Sequence, residues 1–208
     1  MDLADLKVKE YLDVLQSDAP APGGGSVSAL SGAQGVALMM MVADLTCGRE
    51  KYAGFEDVCK KVKDQAVGLF RELTAAVDKD TAAYNKVMEA YKMPKENDEQ
   101  KEQRKKAIKE ANLEATEVPY QVMEVSYKAL ELAETMIGKC NPNAASDLGV
   151  AAVSLMNAVK GAWLNVRINM PGLKDEKKEK YYMENGSGIY KDAEKKAEKI
   201  YEVVLKEM

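Results

Sequence analysis

The sequence contains no histidine. This absence excludes Ser-His-Asp and Cys-His nucleophilic sites, HExxH zinc enzymes and every other site that needs an imidazole ligand. Acid–base chemistry near neutral pH must therefore use a carboxylate, lysine, tyrosine or cysteine side chain whose pKa is shifted from its ordinary value.

Cysteine is also scarce, with Cys47, Cys59 and Cys140 the three in the chain. They are odd in number, lie far apart in sequence and form no CxxC pair, so neither a zinc ribbon nor a thioredoxin-type site is indicated. Free thiols are typical of a reduced compartment, and we expect a cytoplasmic protein. The chain opens without a basic segment followed by a short apolar run, so no signal peptide is expected.

The charge balance has no cationic excess. Lys and Arg number 30, Asp and Glu number 34, and the net charge is −4. Binding to nucleic acid in general needs an excess of positive charge that displaces counterions. We therefore expect no nucleic-acid partner.

Aromatic residues make up only 6% of the chain, and no segment alternates apolar and polar residues for long enough to predict a strand. Apolar residues recur at helical spacing almost throughout. We therefore predict one all-α domain over 1–208, an antiparallel up-and-down helical bundle with buried small-residue helices. The predicted helices are a first one capped by Asp5, then 27–47, 55–91, 99–136 with a kink or break at Pro119, 144–169 capped by Asn143, and 174–208.

The predicted helix 27–47 has Asp44 as its one charged residue and is apolar nearly all round, which indicates burial. A transmembrane span is the competing interpretation. It is disfavoured because polar residues interrupt the apolar run and no Lys or Arg excess marks one side. The small residues Ser28, Gly32 and Gly35 favour close helix packing, either in a soluble core or in a dimer interface.

Asp80 is the first candidate for chemistry. At 100° per residue, Asp80, Tyr84, Val87 and Tyr91 fall within about 60° of one another on one helix face. A carboxyl group held against apolar side chains has a raised pKa, which suits a proton shuttle. The alternative is a surface aspartate at a helix bend.

The predicted helix 144–169 carries a stripe of small and polar residues. Asp147, Ser154, Gly161, Asn165 and Asn169 lie within about 80° of one another on it. Such a stripe on a buried helix faces either a wet cavity, where Asn165 and Asn169 can bind an amide-rich ring, or a satisfied hydrogen-bond network between helices.

The segment Pro22-Gly23-Gly24-Gly25-Ser26 opens a helix. Glycine lets a ligand approach the backbone, and the free N–H groups of a helix start favour an anion. The alternative is a plain turn with Ser26 as the helix cap. The basic run 101–109 is likewise either a solvated helix face or a surface for a polyanionic tail.

Six short blocks, in order along the chain, carry a resemblance to a known family. They are 18–33 (DAPAPGGGSVSALSGA), Asp78-Lys79-Asp80 with Tyr84, 92–95 (KMPK), 115–119 (ATEVP), 138–147 (GKCNPNAASD) and 164–169 (LNVRIN). Together they resemble the cyclodeaminase/cyclohydrolase family of folate one-carbon metabolism. That family includes the cyclodeaminase half of formiminotransferase-cyclodeaminase and stand-alone bacterial methenyltetrahydrofolate cyclohydrolases. The resemblance runs from about Leu6 to Met208.

The resemblance implies an all-helical homodimer that acts on tetrahydrofolate with no metal, no cofactor and no membrane partner. It implies that Asp80 is the proton donor and acceptor. The substrate pocket that it implies, together with the residues suggested by spacing, is lined by Gly23, Gly24, Gly25, Ser26, Tyr84, Asn143, Asp147, Asn165 and Asn169. The residues do not separate cyclodeaminase from cyclohydrolase activity. Arg49, Lys51 or the run 101–109 are expected to meet the anionic glutamate tail.

One departure from the family supports a second hypothesis. Gly186-Ser187-Gly188 replaces the helix-forming run that the family has near its end, and we expect it to weaken the last helix. The alternative function is a non-catalytic helical dimer that binds folate or acts as a scaffold.

Overall fold

The computed structural model describes residues 2–208, which form six α-helices and four short 3-10 helices. No strand occurs among these residues, so the predicted all-α class is confirmed. The helices are α1 (Val8–Leu15), α2 (Gly24–Asp44), α3 (Glu56–Lys92), α4 (Asp98–Thr135), α5 (Ala145–Asn169) and α6 (Glu176–Glu207). Helices α2 and α5 pack on each other, α3 covers α2, α4 covers α3 and α5, and α6 covers α4 and α5.

Helices α3 and α4 form a long hairpin. The α4 start is fixed by Asn97, whose side chain accepts the Gln100 N–H at 2.9 Å. Lys86 on α3 donates to Glu114 on α4 at 2.6 Å. Only the five residues 93–97 join the two helices, which pack side by side. Pro119 lies inside α4 without ending it, so the expected break does not occur. The ring is buried, and packing offsets the one backbone hydrogen bond that it removes.

Small residues let α2 lie very close to its neighbours. A Cβ on Gly32 would lie 2.9 Å from Ser126 Oγ, and one on Gly35 would lie 2.9 Å from the Ala151 carbonyl oxygen. These positions face the interior of the protomer, so the small-residue stripe belongs to the core and not to an interface. Ala29, Val36 and the other inward side chains complete this packing.

Helix α2 has the length and composition of a membrane span, with a mean hydropathy of 1.5 over its most apolar window. Of that window, 56% is buried against the rest of the protein. A core helix passes the same test of length and composition, and the burial of α2 fits that interpretation.

Helix α6 is continuous through Gly186 and Gly188, so the two glycines do not interrupt it. Gly186 is buried where α6 crosses the indole ring of Trp163, and a Cβ there would lie 3.0 Å from Cε3. Gly188 has open space around it. The first glycine therefore serves packing between α5 and α6, which the sequence pattern did not reveal.

Candidate active site

A cleft of about 350 Å³ opens where the start of α2 meets α3, α4 and the end of α5. Asp80 on α3 is the one acidic residue that lines it. The lining residues are Pro20, Ala21, Gly23, Gly24, Gly25, Asp80, Tyr84, Val87, Asn112, Ala115, Asn165, Ile168 and Asn169. The volume falls in the range usual for small-molecule sites.

The start of α2 holds the Asp80 carboxyl group. The backbone N–H of Ser26 donates to Asp80 Oδ2 at 3.0 Å. The Ser26 hydroxyl lies 2.7 Å from the Val77 carbonyl oxygen and 3.3 Å from Asp80 Oδ2. A hydroxyl has one hydrogen, and the shorter contact takes it. The Ser26 oxygen is then free to accept a hydrogen bond from the protonated form of Asp80.

Asp80 is thus the acceptor that caps α2, which corrects the predicted role of Ser26. Helix α2 begins at Gly24 with Gly23 as its cap residue, and no side chain of Gly23 exists to accept a hydrogen bond. Ser26 lies within the first turn of the helix. The acceptor for its N–H comes from another helix, 54 residues along the chain.

Gly25 makes this approach possible. A Cβ on Gly25 would lie 2.6 Å from Asp80 Oδ2 and would overlap the rest of the carboxyl group. Any side chain at position 25 therefore pushes the carboxyl group away from the helix start. Gly24 similarly leaves space for the Asn165 amide, which would lie 3.4 Å from a Cβ there.

Two opposing effects act on the Asp80 proton. Burial raises the pKa of the Asp80 carboxyl above its ordinary value, and the hydrogen bond from the Ser26 backbone N–H lowers it. Burial is the larger effect, so the pKa is raised overall. The expected raised pKa of Asp80 thus has a local cause in the structure, which is the burial of its carboxyl group.

Asp78 has a different environment two residues earlier. Its carboxylate accepts the backbone N–H of Leu3, and that of Ala4 at 3.4 Å. Asp78 therefore anchors the first 3-10 turn, Leu3–Asp5, on α3. It is absent from the cleft lining.

Three more predicted residues, Tyr84, Asn165 and Asn169, line the cleft with Asp80. Asn165 Nδ2 donates to the Gly161 carbonyl at 2.9 Å, and Asn169 Nδ2 donates to the Ala115 carbonyl on α4 at 2.6 Å. Both sequence interpretations of this pair hold in part, because each side chain makes an internal hydrogen bond and also faces the cavity.

Within a single chain, Asn143 and Asp147 do not line this cleft, contrary to the prediction. At 1.5 Å per residue, about 27 Å of helix separates Asp147 from Asn165 on α5. Asn143 is exposed in the turn before α5 and does not cap that helix. Its neighbour Asn141 contacts Tyr52 Oη and the Leu45 carbonyl at the far end of α2.

A basic groove of about 500 Å³ lies beside the cleft. It is lined by Lys95, Lys101, Arg104, Lys105, Ile108, Lys109, Gly172, Leu173 and Lys174. The cleft residue Asn112 packs directly against Gly172 of this groove, so the two cavities are neighbours. Arg49 and Lys51 lie past the other end of α2, which is about 30 Å long.

Asn112 is the cleft residue that the sequence interpretation missed. It lies at the i, i+4 and i+7 positions with Thr116 and Pro119, and all three are buried. A polar residue on a buried helix stripe is a recognisable signal. Among residues 2–208, no group of three His, Cys, Asp or Glu side chains is placed to hold a metal ion.

Comparison with known proteins agrees with the fold and the blocks of sequence. The family described as Formiminotransferase-cyclodeaminase matches residues 7–186. The chain is 40% identical to methenyltetrahydrofolate cyclohydrolase of Methylorubrum extorquens over 197 residues, 95% of each chain. It is 30% identical to mouse formimidoyltransferase-cyclodeaminase over 174 residues, which is 84% of this chain and 32% of that protein.

A solved structure supports the same assignment. The crystal structure of formiminotetrahydrofolate cyclodeaminase from Thermotoga maritima superposes with a TM-score of 0.79 at 28% identity, covering 99% of this chain and 97% of the other. The resemblance inferred from the six sequence blocks is therefore confirmed, and the chain belongs to the formiminotransferase-cyclodeaminase family.

Proposed function

We propose that the protein is a folate enzyme that forms or opens the 5,10-methenyl ring of tetrahydrofolate. It is a formimidoyltetrahydrofolate cyclodeaminase, a methenyltetrahydrofolate cyclohydrolase, or both. The observation that carries this proposal is the position of Asp80, which caps α2 and is partly buried in a cleft. The relatives of the chain are named for these two activities.

Both reactions pass through a tetrahedral carbon. In cyclodeamination, N10 of 5-formimidoyltetrahydrofolate attacks the formimidoyl carbon and ammonia leaves. In cyclohydrolysis, water attacks the methenyl carbon and one C–N bond breaks to give 10-formyltetrahydrofolate. Each route moves a proton from the attacking atom to the departing nitrogen and needs no cofactor. General acid–base catalysis of this kind contributes about 10²–10⁴-fold in rate.

Asp80 is the proposed carrier of that proton. As the carboxylate, it accepts a proton from the attacking water or N10 and offsets the positive charge of the amidinium. As the acid, it protonates the departing nitrogen. Burial keeps the protonated form accessible, and the Ser26 N–H supports the carboxylate. Both protonation states that the cycle needs are thus supported by neighbouring groups.

Six of the other predicted residues line the same cleft as this carboxyl group. The glycine loop Gly23–Gly25 and Tyr84 form one wall of the proposed substrate pocket, and Asn165 and Asn169 form another. The glutamate tail of folate is anionic, and the neighbouring basic groove carries six Lys and Arg side chains. We assign the tail to that groove rather than to Arg49 or Lys51.

A homodimer of up-and-down bundles in the cytoplasm completes the proposal. Exposed apolar side chains on adjacent helices, Val27 and Met41 of α2 and Val153, Leu164 and Ile168 of α5, form a face suited to a second copy. Ile168 also lines the cleft. A two-fold axis across the middle of this face would bring the partner's α5 start, where Asp147 lies, towards the cleft. Sedimentation at micromolar concentration tests the dimer, and a fully active monomer would exclude a shared pocket.

The test of function compares two aspartates on one helix. The methenyl group absorbs in the near ultraviolet, so each substrate is followed by absorbance. Asp80→Asn should lower kcat by about 10²–10⁴-fold with no loss of thermal stability, because burial disfavours the charge that the substitution removes. Asp78→Ala removes the acceptor of the Leu3 N–H and should lower stability by about 1 kcal/mol while kcat stays within twofold.

Three outcomes would contradict the proposal. If the wild-type protein changes the absorbance of neither substrate, the assigned reaction is wrong. If Asp80→Asn turns over at the wild-type rate, Asp80 carries no proton. If Asp80→Asn loses stability and activity together, the carboxyl group is structural, which favours the non-catalytic hypothesis.

A further inference from the structure

Asn112 has an unusual environment in the cleft. Only 8% of the residue is exposed, it lines the cavity, and its Nδ2 has no hydrogen-bond partner among residues 2–208. Buried amides in folded proteins nearly always find a partner. Nδ2 itself is buried, so its NH₂ group reaches the cavity only when the amide rotates. An unpaired donor next to a cavity points to a partner that arrives with a ligand.

The neighbouring turn leaves space for this amide. A Cβ on Gly172 would lie 2.9 Å from both the Cγ and the Oδ1 of Asn112. Because Gly172 has no side chain, the turn after α5 leaves room for the Asn112 amide. The two ends of an amide are distinguished by their hydrogen bonds, and no protein acceptor holds Nδ2 in place. A bound ligand can thus draw the NH₂ group towards the cleft.

The other two asparagines of the cleft have the opposite character. Asn165 and Asn169 each use Nδ2 to donate to a backbone carbonyl, of Gly161 and Ala115 respectively. A flip of either amide would place its oxygen against that carbonyl oxygen. Their Oδ1 atoms are therefore the ends available to a ligand, and both are acceptors.

These three side chains together offer one donor and two acceptors. Resting on the proposed function, we infer that Asn112 positions the pterin ring by donating to its C4 carbonyl, while Asn165 and Asn169 accept from the N3–H and the 2-amino group. The acceptor–donor–donor edge of a 2-amino-4-oxopyrimidine ring matches this set group for group. The Asn112 NH₂ group, which has no partner within the protein, would then form its hydrogen bond only when the pterin is bound.

The test exploits the unpaired donor. Leucine has nearly the shape of asparagine, and an apolar isostere at a buried unpaired group leaves stability unchanged or higher. Asn112→Leu should therefore retain the wild-type Tm while its KM for folate substrates rises about tenfold and kcat changes less than threefold. Ser126→Ala is the matched control: Ser126 Oγ is also buried without a partner, but it lies in the core against Gly32. This variant should keep both Tm and KM.

Calorimetric binding separates the inference from the proposed function. Asn112→Leu should bind tetrahydrofolate about tenfold more weakly and bind p-aminobenzoylglutamate, which lacks the pterin, as the wild type does. Equal tetrahydrofolate affinity in the two proteins would overturn the inference, even if turnover is established. Absence of wild-type turnover would overturn the function, and the binding difference would still support Asn112. If Asn112→Leu does not fold, Asn112→Ala, which also lacks a donor, must show the same weakening.

Discussion

Gly25→Ala is the substitution that tests most directly how the cleft is built. The added Cβ would overlap the Asp80 carboxyl group, which must then move away from the Ser26 N–H. Helix α2 cannot retreat instead, because Gly32 and Gly35 already pack closely against α4 and α5. The carboxyl group is thus the part that shifts.

The size of the effect follows from the contacts. A hydrogen bond to a charged group contributes about 1.5–3 kcal/mol, and alanine returns at most about 1 kcal/mol of helix propensity. The net loss should be about 1–2 kcal/mol, or roughly 2–8 °C in Tm for a chain of this size. A misplacement near 1 Å of a reacting group can cost about 10²-fold in rate, so kcat should fall by that order.

The control is Gly68→Ala in the exposed middle of α3. Nothing lies within 4 Å of a Cβ at Gly68, so the same substitution should raise stability by about 0.5–1 kcal/mol and leave kcat unchanged. Thermal unfolding and the methenyl absorbance assay give both readouts. If Gly25→Ala is stabilised like Gly68→Ala and keeps full activity, Asp80 is not held by the start of α2.

Two further predictions concern other parts of the fold. Gly186→Ala should destabilise the protein by about 1–3 kcal/mol, because the added Cβ would meet Trp163. Gly188→Ala should stabilise it by about 0.5–1 kcal/mol. Equal shifts in Tm for the two variants would contradict the packing of α6 on α5. Glu134 accepts from Lys196 at 2.7 Å and from Lys199 at 2.8 Å, and these hydrogen bonds lower its pKa. A lowered carboxyl pKa stabilises the fold above the ordinary glutamate pKa, and this contribution is lost as the pH falls through the folded-state value. Denaturant unfolding of Glu134→Gln should therefore show a loss of about 0.5–1.5 kcal/mol at pH 7 that shrinks towards pH 3, and a constant difference would contradict the role of the ion pair.

Much of the fold follows from local patterns in the sequence. Apolar spacing placed all of the long helices within a few residues of their observed bounds, because each buries one face. The same spacing placed Asp80 with Tyr84 and Val87, and all three line the cleft. These are relations within one helix, where 100° per residue fixes the geometry.

Contacts between different helices are harder to predict from the sequence. The start of α2 was predicted at Ser26 because serine is a good cap, whereas the acceptor is Asp80 from α3. Asn143 and Asp147 were assigned to the pocket through the family resemblance, and the length of α5 separates them from it within one chain. The sequence pattern predicts that Gly186 weakens α6, because nothing in the sequence shows that Trp163 packs against this position.

The hydrogen bond between the start of α2 and Asp80 also bears on how easily this carboxyl group would change its protonation state. A carboxyl group that strongly prefers to be charged accepts poorly, and one locked as the neutral acid is slow to release. At Asp80, burial raises the pKa of the carboxyl group and the Ser26 backbone N–H lowers it. A group balanced in this way would take up a proton and give it back with similar ease, and the proposed cycle needs both steps in every turnover.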